Sequence, residues 1–313
     1  MSGTDHDAVV FPGLAGATFA DLGRFLALDQ FARPLLRRAR TVLGYPVLQR
    51  LHDSGEDDYS EAAQVASLIS SLALAERALL TASPAYCAGP SFGVRATAVL
   101  SGCLSFEDGV RATVGMARQE RAYFENEHTD LVTQTVVRVP DEKLTTLLGE
   151  WNARGERLEL SGDLDQGFAM ITLSETRLAQ FRREIGALGG YNMHTMRPPA
   201  HSVLFGGLRE AVAAEVLPAL TFREPVLPVV TDQDGTVADT AQGVREMLLN
   251  TFDRPFSWPA VVASLTAHGV RTVHLAGADP LFHRLDSTKR HFRVVRVDPR
   301  SALRPTPALA GRT

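Results

Sequence analysis

The chain has 313 residues, 45% of them hydrophobic, which is enough to bury the core of one large domain or of a domain plus an insert. Its formal charge of -4 argues against a generally basic nucleic-acid binder, and no apolar run approaches the ~20 residues that span a bilayer. The start "MSGTDHDAVV" lacks both the basic and the apolar region of a secretion signal, so a cytoplasmic protein with no membrane or nucleic-acid partner is expected.

In chain order, "DAVVFPG" reads as a strand stopped by Pro12 and Gly13, and "ADLGRFLALDQFARPLLRRARTVLG" as a helix. "DDYSEAAQVASLISSLALAERALL", rich in Ala, Leu and Ser without a breaker, predicts a long, mostly buried helix. A short apolar strand in "PAYCAG", the turn "GPSFG" and the Ala-rich helix "VRATAVLSG" follow. Cys87 and Cys103 lie in apolar stretches without metal-like spacing to histidine. They read as reduced, buried side chains, and neither a metal nor a cofactor is expected.

The middle of the chain changes rhythm. "TQTVVRV" is strand-like, "DEKLTTLLGEWNARG" helical, "RLELSG" and "GFAMITLS" strand-like, "ETRLAQFRREIGAL" helical and "YNMHTM" strand-like. That β-α-β-β-α-β order predicts a ferredoxin-like small domain over 131–197, inserted into a large domain formed by 1–130 and 198–313. Beyond the insert, "VLFGGLREAVAAEVLPAL" reads as a helix, "PVLPVVT" as a strand, "DTAQGVREMLLNTF" and "WPAVVASLTAHG" as helices and "TVHLAG" as a strand. The fold class expected is α/β: a large α/β-hydrolase-like domain with a mainly parallel sheet plus the inserted small domain. From Arg271 to Arg312 nine Lys/Arg stand against three Asp, which is either a solvated basic tail or a landing site for an acidic partner. The end "SALRPTPALAGRT" is expected to fray.

Ser91, in "GPSFG", falls between strand and helix, the setting of a nucleophile elbow. There the glycines allow close backbone approach, and the helix N-terminus supplies amide donors. A serine hydroxyl needs a base, and His201 in "RPPAHSVLF" lies where the insert rejoins the large domain, in position to face a cleft between them. An isolated histidine is more often structural than catalytic, so the assignment rests on this context.

At this point the sequence resembles the malonyl-CoA:acyl-carrier-protein transacylases and the acyltransferase domains of polyketide synthases. "FPGLAG" is similar to that family's opening Phe-Pro-Gly-Gln-Gly, "EAAQVASLISSLALAE" to its Gln-Pro-Ala helix, and "GPSFGVRATAVLSGCLSFEDGV" to its elbow and the following Leu-Ser-Phe-Glu-Asp segment. "PPAHSVLF" resembles its catalytic histidine segment, "REPVLPVVT" the strand after it and "RPFSWPAVV" its Pro-Val-Gln-Trp segment. The resemblance implies that Ser91 is the acyl-accepting nucleophile and His201 the general base and acid. It implies that the backbone carbonyl of Ser257 orients the histidine, and that the amides of Leu14 and Phe92 form the oxyanion hole.

The departures concern the substrate pocket. Pro90 replaces the usual His before the nucleophile, Val94 the usual Glu after the elbow, and Ala200 the usual Phe or Ser before the histidine. Counted without a gap, the family's carboxylate-binding arginine falls on Met116, and neither Arg111 nor Arg118 shares a helical face with that position. The expected acyl group is therefore not malonyl. The subgroup resembled moves aminoacyl or dipeptidyl groups between carrier proteins in macrolactam assembly.

The partner implied is an acidic, phosphopantetheinylated acyl carrier protein, with an acyl thioester, on CoA or on a second carrier protein, as donor. Candidate docking cations are Arg154, Arg157, Arg182, Arg183, Lys289, Arg290 and Arg300. The competing readings are a thioester hydrolase on the same fold, which would share Ser91 and His201, a decayed docking subunit, and an α/β-hydrolase esterase. The last expects a His-Gly-Gly-type oxyanion loop that the chain lacks.

Overall fold

The computed structural model describes residues 5–13, 17–55 and 59–304. Strand β1 (His6–Val10) leads into α1 (Phe19–Leu28), α2 (Ala32–Leu43) and α3 (Val47–Asp53); α1 and α2 stand where the sequence reading has one helix over 20–44, and α3 follows that stretch. The first break is made by Asp29, whose Oδ1 accepts from the Phe31 and Ala32 amides at 2.9 and 3.0 Å. A carboxylate that binds the amides two and three residues ahead competes with helix continuation. Gly44, at φ 75, closes α2 in the left-handed conformation. Helix α4 (Glu61–Ala78) is capped by Ser60 and buries residues all round its circumference, as its composition predicts.

Next come β2 (Pro84–Ala88), α5 (Gly93–Leu100) and α6 (Phe106–Asn126), the last capped by Ser105. The run β3 (Leu131–Val137), α7 (Asp141–Ala153), β4 (Glu159–Asp165), β5 (Phe168–Ser174), α8 (Leu178–Ala187) and β6 (Tyr191–Met196) follows. Its strands pair antiparallel in the order β6-β3-β5-β4, the ferredoxin-like arrangement expected. Trp151 of α7 meets Phe181 of α8 edge-on in the core of this unit.

The chain returns through α9 (Gly206–Glu215), β7 (Val229–Val230), β8 (Val237–Ala238), α10 (Ala241–Asp253), β9 (Phe256–Ser257) and α11 (Trp258–Ala267). It closes with β10 (Val270–Ala276), α12 (Asp286–His291), β11 (Arg293–Val297) and α13 (Pro299–Ala302). The strand expected over "PVLPVVT" is only two residues long, because Pro225 and Pro228 have no N–H to give a ladder. The helix expected over 203–220 is one α-helix flanked by two short 3₁₀ turns. The basic C-terminal stretch is folded into β11, α12 and α13 rather than being a solvated tail, and the part of the fraying expectation beyond Arg304 lies outside the described residues.

The larger sheet runs β11-β10-β1-β2-β7-β8, all parallel except the β7–β8 hairpin, so the class is α/β as expected. β9 leaves this body and adds to the small sheet beside β4, pairing Gly162 with Phe256 and Asp163 with Ser257. Cys87 and Cys103 are free and buried, and burial pushes both thiols up from their ordinary pKa. No helix among the described residues is long and apolar enough to cross a membrane.

The turn after β2 is set by contact with β1. A Cβ on Gly93 would lie 2.3 Å from the Phe11 carbonyl oxygen, and one on Gly89 would lie 2.4 Å from both the Gly93 carbonyl oxygen and Thr97 Oγ1. Neither backbone obstacle can swing aside. Gly93→Ala is therefore expected to cost at least about 1–3 kcal/mol of stability, the usual range for overpacking. Denaturant melts check this; a variant as stable as the wild type would mean that α5 does not need this approach.

Candidate active site

Ser91 occupies the turn between β2 and α5 at φ 57, a left-handed conformation that a serine rarely adopts. Its amide donates to Asp232 Oδ2 at 2.7 Å, which pins the strained turn to the loop after β7. His201 follows β6, is 5% exposed and also stands at φ 57. Ser91 Oγ and His201 Nε2 are 2.7 Å apart.

On its other side, His201 Nδ1 lies 2.6 Å from the Thr251 carbonyl oxygen. A carbonyl only accepts, so Nδ1 carries the hydrogen and Nε2 offers its lone pair to the serine hydroxyl. Thr251 is in the last turn of α10, where carbonyls have no partner within the helix and the helix dipole is negative. The orienting carbonyl is thus Thr251's and not Ser257's, a correction to the alignment-based expectation. Ser257 is tied up elsewhere: its amide donates to the Asp232 carbonyl at 2.7 Å and its Oγ caps α11.

The small unit also grips the histidine's neighbour. The Ala200 amide donates to Thr133 Oγ1 at 3.0 Å, Thr133 Oγ1 lies 2.7 Å from Thr172 Oγ1, and Ser161 Oγ lies 2.6 Å from the same Thr172 oxygen. These three hydroxyls, on β3, β5 and β4, are at most 1% exposed, so the network holds the approach to His201 from within the small sheet. The Phe256 ring of β9 packs edge-on to His201 at 5.3 Å.

Phe92, next to the serine and one of the two expected oxyanion donors, is the N-cap of α5, at the helix end whose amides have no partner within the helix. Leu14, the other expected donor, lies outside the described residues.

A cavity of about 650 Å³ opens over this pair and is walled by Phe168, Met170, Met193, Phe256 and Phe282. Ala200 lines it, as expected. Pro90, Val94 and Met116 do not: Pro90 is buried in the turn, while Val94 and Met116 are fully buried with Phe205 and Leu208. The expected helical face is right, but Met116 sits too deep. α6 reaches the cavity one and two turns further on, through Glu120 and Phe124. Arg111 pairs with Asp108 and Arg118 with Glu61, both away from the cavity.

Sequence reasoning missed the polar end of the cavity. Arg95 of α5, 4% exposed, donates to Gln64 Oε1 and, at 2.8 Å, to Glu120 Oε1, and the Phe92 ring covers its guanidinium at 4.6 Å. Burial lowers the Arg95 pKa against the opposing pull of Glu120. An arginine in the otherwise apolar helix "GVRATAVL" was the available signal, since a buried guanidinium requires a partner.

The candidate docking cations are all exposed, but not all are uncommitted. Arg154 pairs with Glu150, Lys289 pairs with Asp286, and Arg182 bonds Gln134 and Thr195. Arg157, Arg183, Arg290 and Arg300 have no ion pair among the described residues. Arg300 opens α13 just after β11, at the same C-terminal end of the parallel sheet as Ser91.

A parallel-sheet body thus carries Ser91 at the β2–α5 turn, and His201 stands where the chain returns to that body from the ferredoxin-like unit. The family model described as the VinK acyltransferase small domain matches residues 135–196. The malonyl CoA-acyl carrier protein transacylases of Salmonella typhimurium and Escherichia coli K12 are each 24% identical over 86% of this chain and 88% of their own length. Among solved structures, the malonyl-transacylase in complex with a type II polyketide acyl-carrier protein superposes with a TM-score of 0.81 at 19% identity, covering 95% of this chain and 98% of its own. The acyltransferase domain from the second module of the salinomycin polyketide synthase gives 0.77 at 19%, covering 94% of this chain and 69% of its own. The chain therefore has the fold of the malonyl-CoA:acyl-carrier-protein transacylases and polyketide synthase acyltransferases, and its sequence is similar to the former over most of its length.

Two buried groups give the site an unusual pH response. Burial lowers the His201 pKa to about 4, against the opposing pull of the Thr251 carbonyl, so the imidazole is a neutral base at pH 7. Burial raises the Asp232 pKa to about 7, against the hydrogen bonds from Ser91, its own backbone and Gln233. The stability contributed by neutral His201 is complete above pH 6.5 and is lost as pH falls through 4. That contributed by protonated Asp232 is complete below pH 3.8 and is lost as pH rises through 7. Asp232→Asn keeps an acceptor for the Ser91 amide without the charge. Its melting temperature relative to wild type is therefore expected to climb between pH 4 and 7 and to level off above. A difference that does not change with pH would show that the carboxylate is not held protonated.

Proposed function

We propose that the protein is a ping-pong acyltransferase that moves an acyl group other than malonyl, through Ser91, onto the phosphopantetheine thiol of an acyl carrier protein. In the first half-reaction His201 Nε2 takes the Oγ proton as Oγ attacks the thioester carbonyl. The oxyanion forms against the Phe92 amide, and the donor thiol leaves with the proton from Nε2. In the second, the carrier thiol passes its proton to Nε2, attacks the acyl-serine and frees Oγ, which regains the proton. The Thr251 carbonyl stabilises the imidazolium in both.

The observation that carries the choice of acyl group is the state of the cavity's arginines. Arg95 is paired with Glu120 and Arg197 with Glu175, so each guanidinium already faces a balancing carboxylate, and the one Arg95 nitrogen without a partner, Nε, is buried. A malonyl carboxylate there would be partly desolvated and unpaired. This favours a neutral or amine-bearing acyl group, in keeping with the aminoacyl and dipeptidyl carriers that the sequence resembles. Carrier-protein docking fits the exposed Arg183, Arg290 and Arg300, because the partner class is acidic.

Intact-mass measurement of Ser91 acylation tests this reading. Ser91→Ala is expected to carry no acyl group, and His201→Ala to acquire it about 10²-fold more slowly. Malonyl-CoA is expected to load about 10²–10³-fold more slowly than the best neutral or amine-bearing thioester. Malonylation as fast as the best alternative would sink the substrate assignment, and a modified Ser91→Ala protein would sink the covalent route. Discharge of the acyl-enzyme to water as fast as to carrier protein would make it a hydrolase. Arg290→Glu should raise KM for a carrier protein and leave a small thioester unaffected.

A further inference from the structure

The cavity over Ser91 does not end at its apolar walls. A second cavity, of about 500 Å³, lies beyond it, and Tyr59, Gln64, Glu120, Phe124 and Arg197 line both. Glu120 therefore stands on the partition between the chamber that holds the nucleophile and the one behind it. The second chamber adds the carboxylates of Glu125 and Glu175, with Arg197 held by Glu175, and the side chains of Arg121 and His128, so the negative group common to both chambers is Glu120.

The Arg95–Glu120 pair is neutral in sum but not in what it presents. The Arg95 side chain is 5% exposed and the Glu120 side chain 23%. The guanidinium is roofed by Phe92 and has donated one nitrogen to Gln64 and another to Glu120. Glu120 accepts from Arg95 at 2.8 Å through Oε1 and from Gln64 at a longer 3.3 Å through Oε2. A carboxylate has about four acceptor positions, so among the described residues two remain, on the partner that faces the cavity. A group reaching this point from Ser91 meets an acceptor that wants a cation. A terminal carboxylate would meet the wrong sign.

We infer that Glu120 is the specificity-determining residue of this pocket, accepting the ammonium end of an amine-terminated acyl group whose carbonyl is at Ser91. The inference rests on the acyl-serine reading above but goes beyond it by assigning the chemistry of the far end of the acyl chain. Arg95 acts as a positioning residue: it holds the Glu120 carboxylate, and with Gln64 it keeps both oxygens turned toward the partition. The apolar walls between Ser91 and Glu120 suit the methylene or side-chain carbons between the thioester and the amine.

The test uses stable pantetheine amides, in which the thioester sulfur is replaced by nitrogen, so that binding is read without chemistry. A series of ω-amino acyl amides from glycyl to 6-aminohexanoyl is titrated calorimetrically against the full-length protein, each beside its des-amino and its carboxylate-terminated counterpart. At the best chain length the amine is expected to bind about 10- to 100-fold more tightly than the des-amino amide, the range for a hydrogen bond to a charged group. The carboxylate is expected to bind most weakly. Glu120→Gln, which keeps an acceptor for Arg95, is expected to erase the amine preference and leave des-amino binding within about two-fold. If that variant does not fold, the wild-type series decides alone: no amine preference at any length overturns the inference. So does a Glu120→Gln protein that loses amine and des-amino ligands equally, which is what a purely structural partner of Arg95 would give. Mass-detected acylation of Ser91 by the matching thioesters is read separately. Amine-selective binding without acylation would refute the covalent reading and leave Glu120 standing; acylation without amine selectivity would do the reverse.

Discussion

Everything at this site depends on one contact, the 2.7 Å approach of Ser91 Oγ to His201 Nε2, made by residues 110 positions apart on either side of the small unit in sequence. Both stand in left-handed backbone, so neither is where a relaxed chain would put it. Ser91 is held by Gly89 and Gly93, which let α5 close onto β1, and by its amide bond to Asp232. His201 is held from three directions: the end of α10 through Thr251, the small sheet through Thr133 and Ala200, and the ring of Phe256. The small unit is therefore part of the active site's frame and not merely a cover over it.

Short β9 makes that frame rigid. Phe256 and Ser257 leave the large body to extend the small sheet beside β4, and the Ser257 amide returns to the Asp232 carbonyl. Asp232 thus receives the Ser91 amide on its side chain and the bridging strand's amide on its backbone. A shift of the small sheet with β9 would have to break the second of these bonds.

Sequence reasoning reached what local rules govern. The order of strands and helices, the ferredoxin-like run from Leu131 to Met196, the elbow at Ser91 and the partner His201 were all legible, because periodicity, glycine spacing and turn chemistry are properties of neighbouring residues. What it missed is non-local. The break at Asp29 comes from a side chain binding amides ahead of it, a competition that apolar spacing does not record. The orienting carbonyl was placed on Ser257 because alignment counts positions, whereas the contact is decided by which helix end points at the imidazole, and that is Thr251. Pro90, Val94 and Met116 were assigned to the pocket because a resemblance carries over positions in the sequence but not their depth in the fold.

That error of depth also explains the pocket's electrostatics. Met116, Glu120 and Phe124 form one stripe of α6, and along it the environment changes from core to cavity within a single turn. A charge at position 116 would now be sealed among Phe205, Leu208 and Val212, and would need a partner there. Moving the charge one turn outward to 120 removes that penalty, but Arg95, almost wholly buried beside it, must be neutralised from the same position. Glu120 meets both requirements: it cancels the arginine in the interior and keeps a face toward the acyl chamber. The pocket's preference in charge is consequently set by the difference in exposure between two paired residues and not by its net charge, which is why counting charges along the sequence could not reveal it.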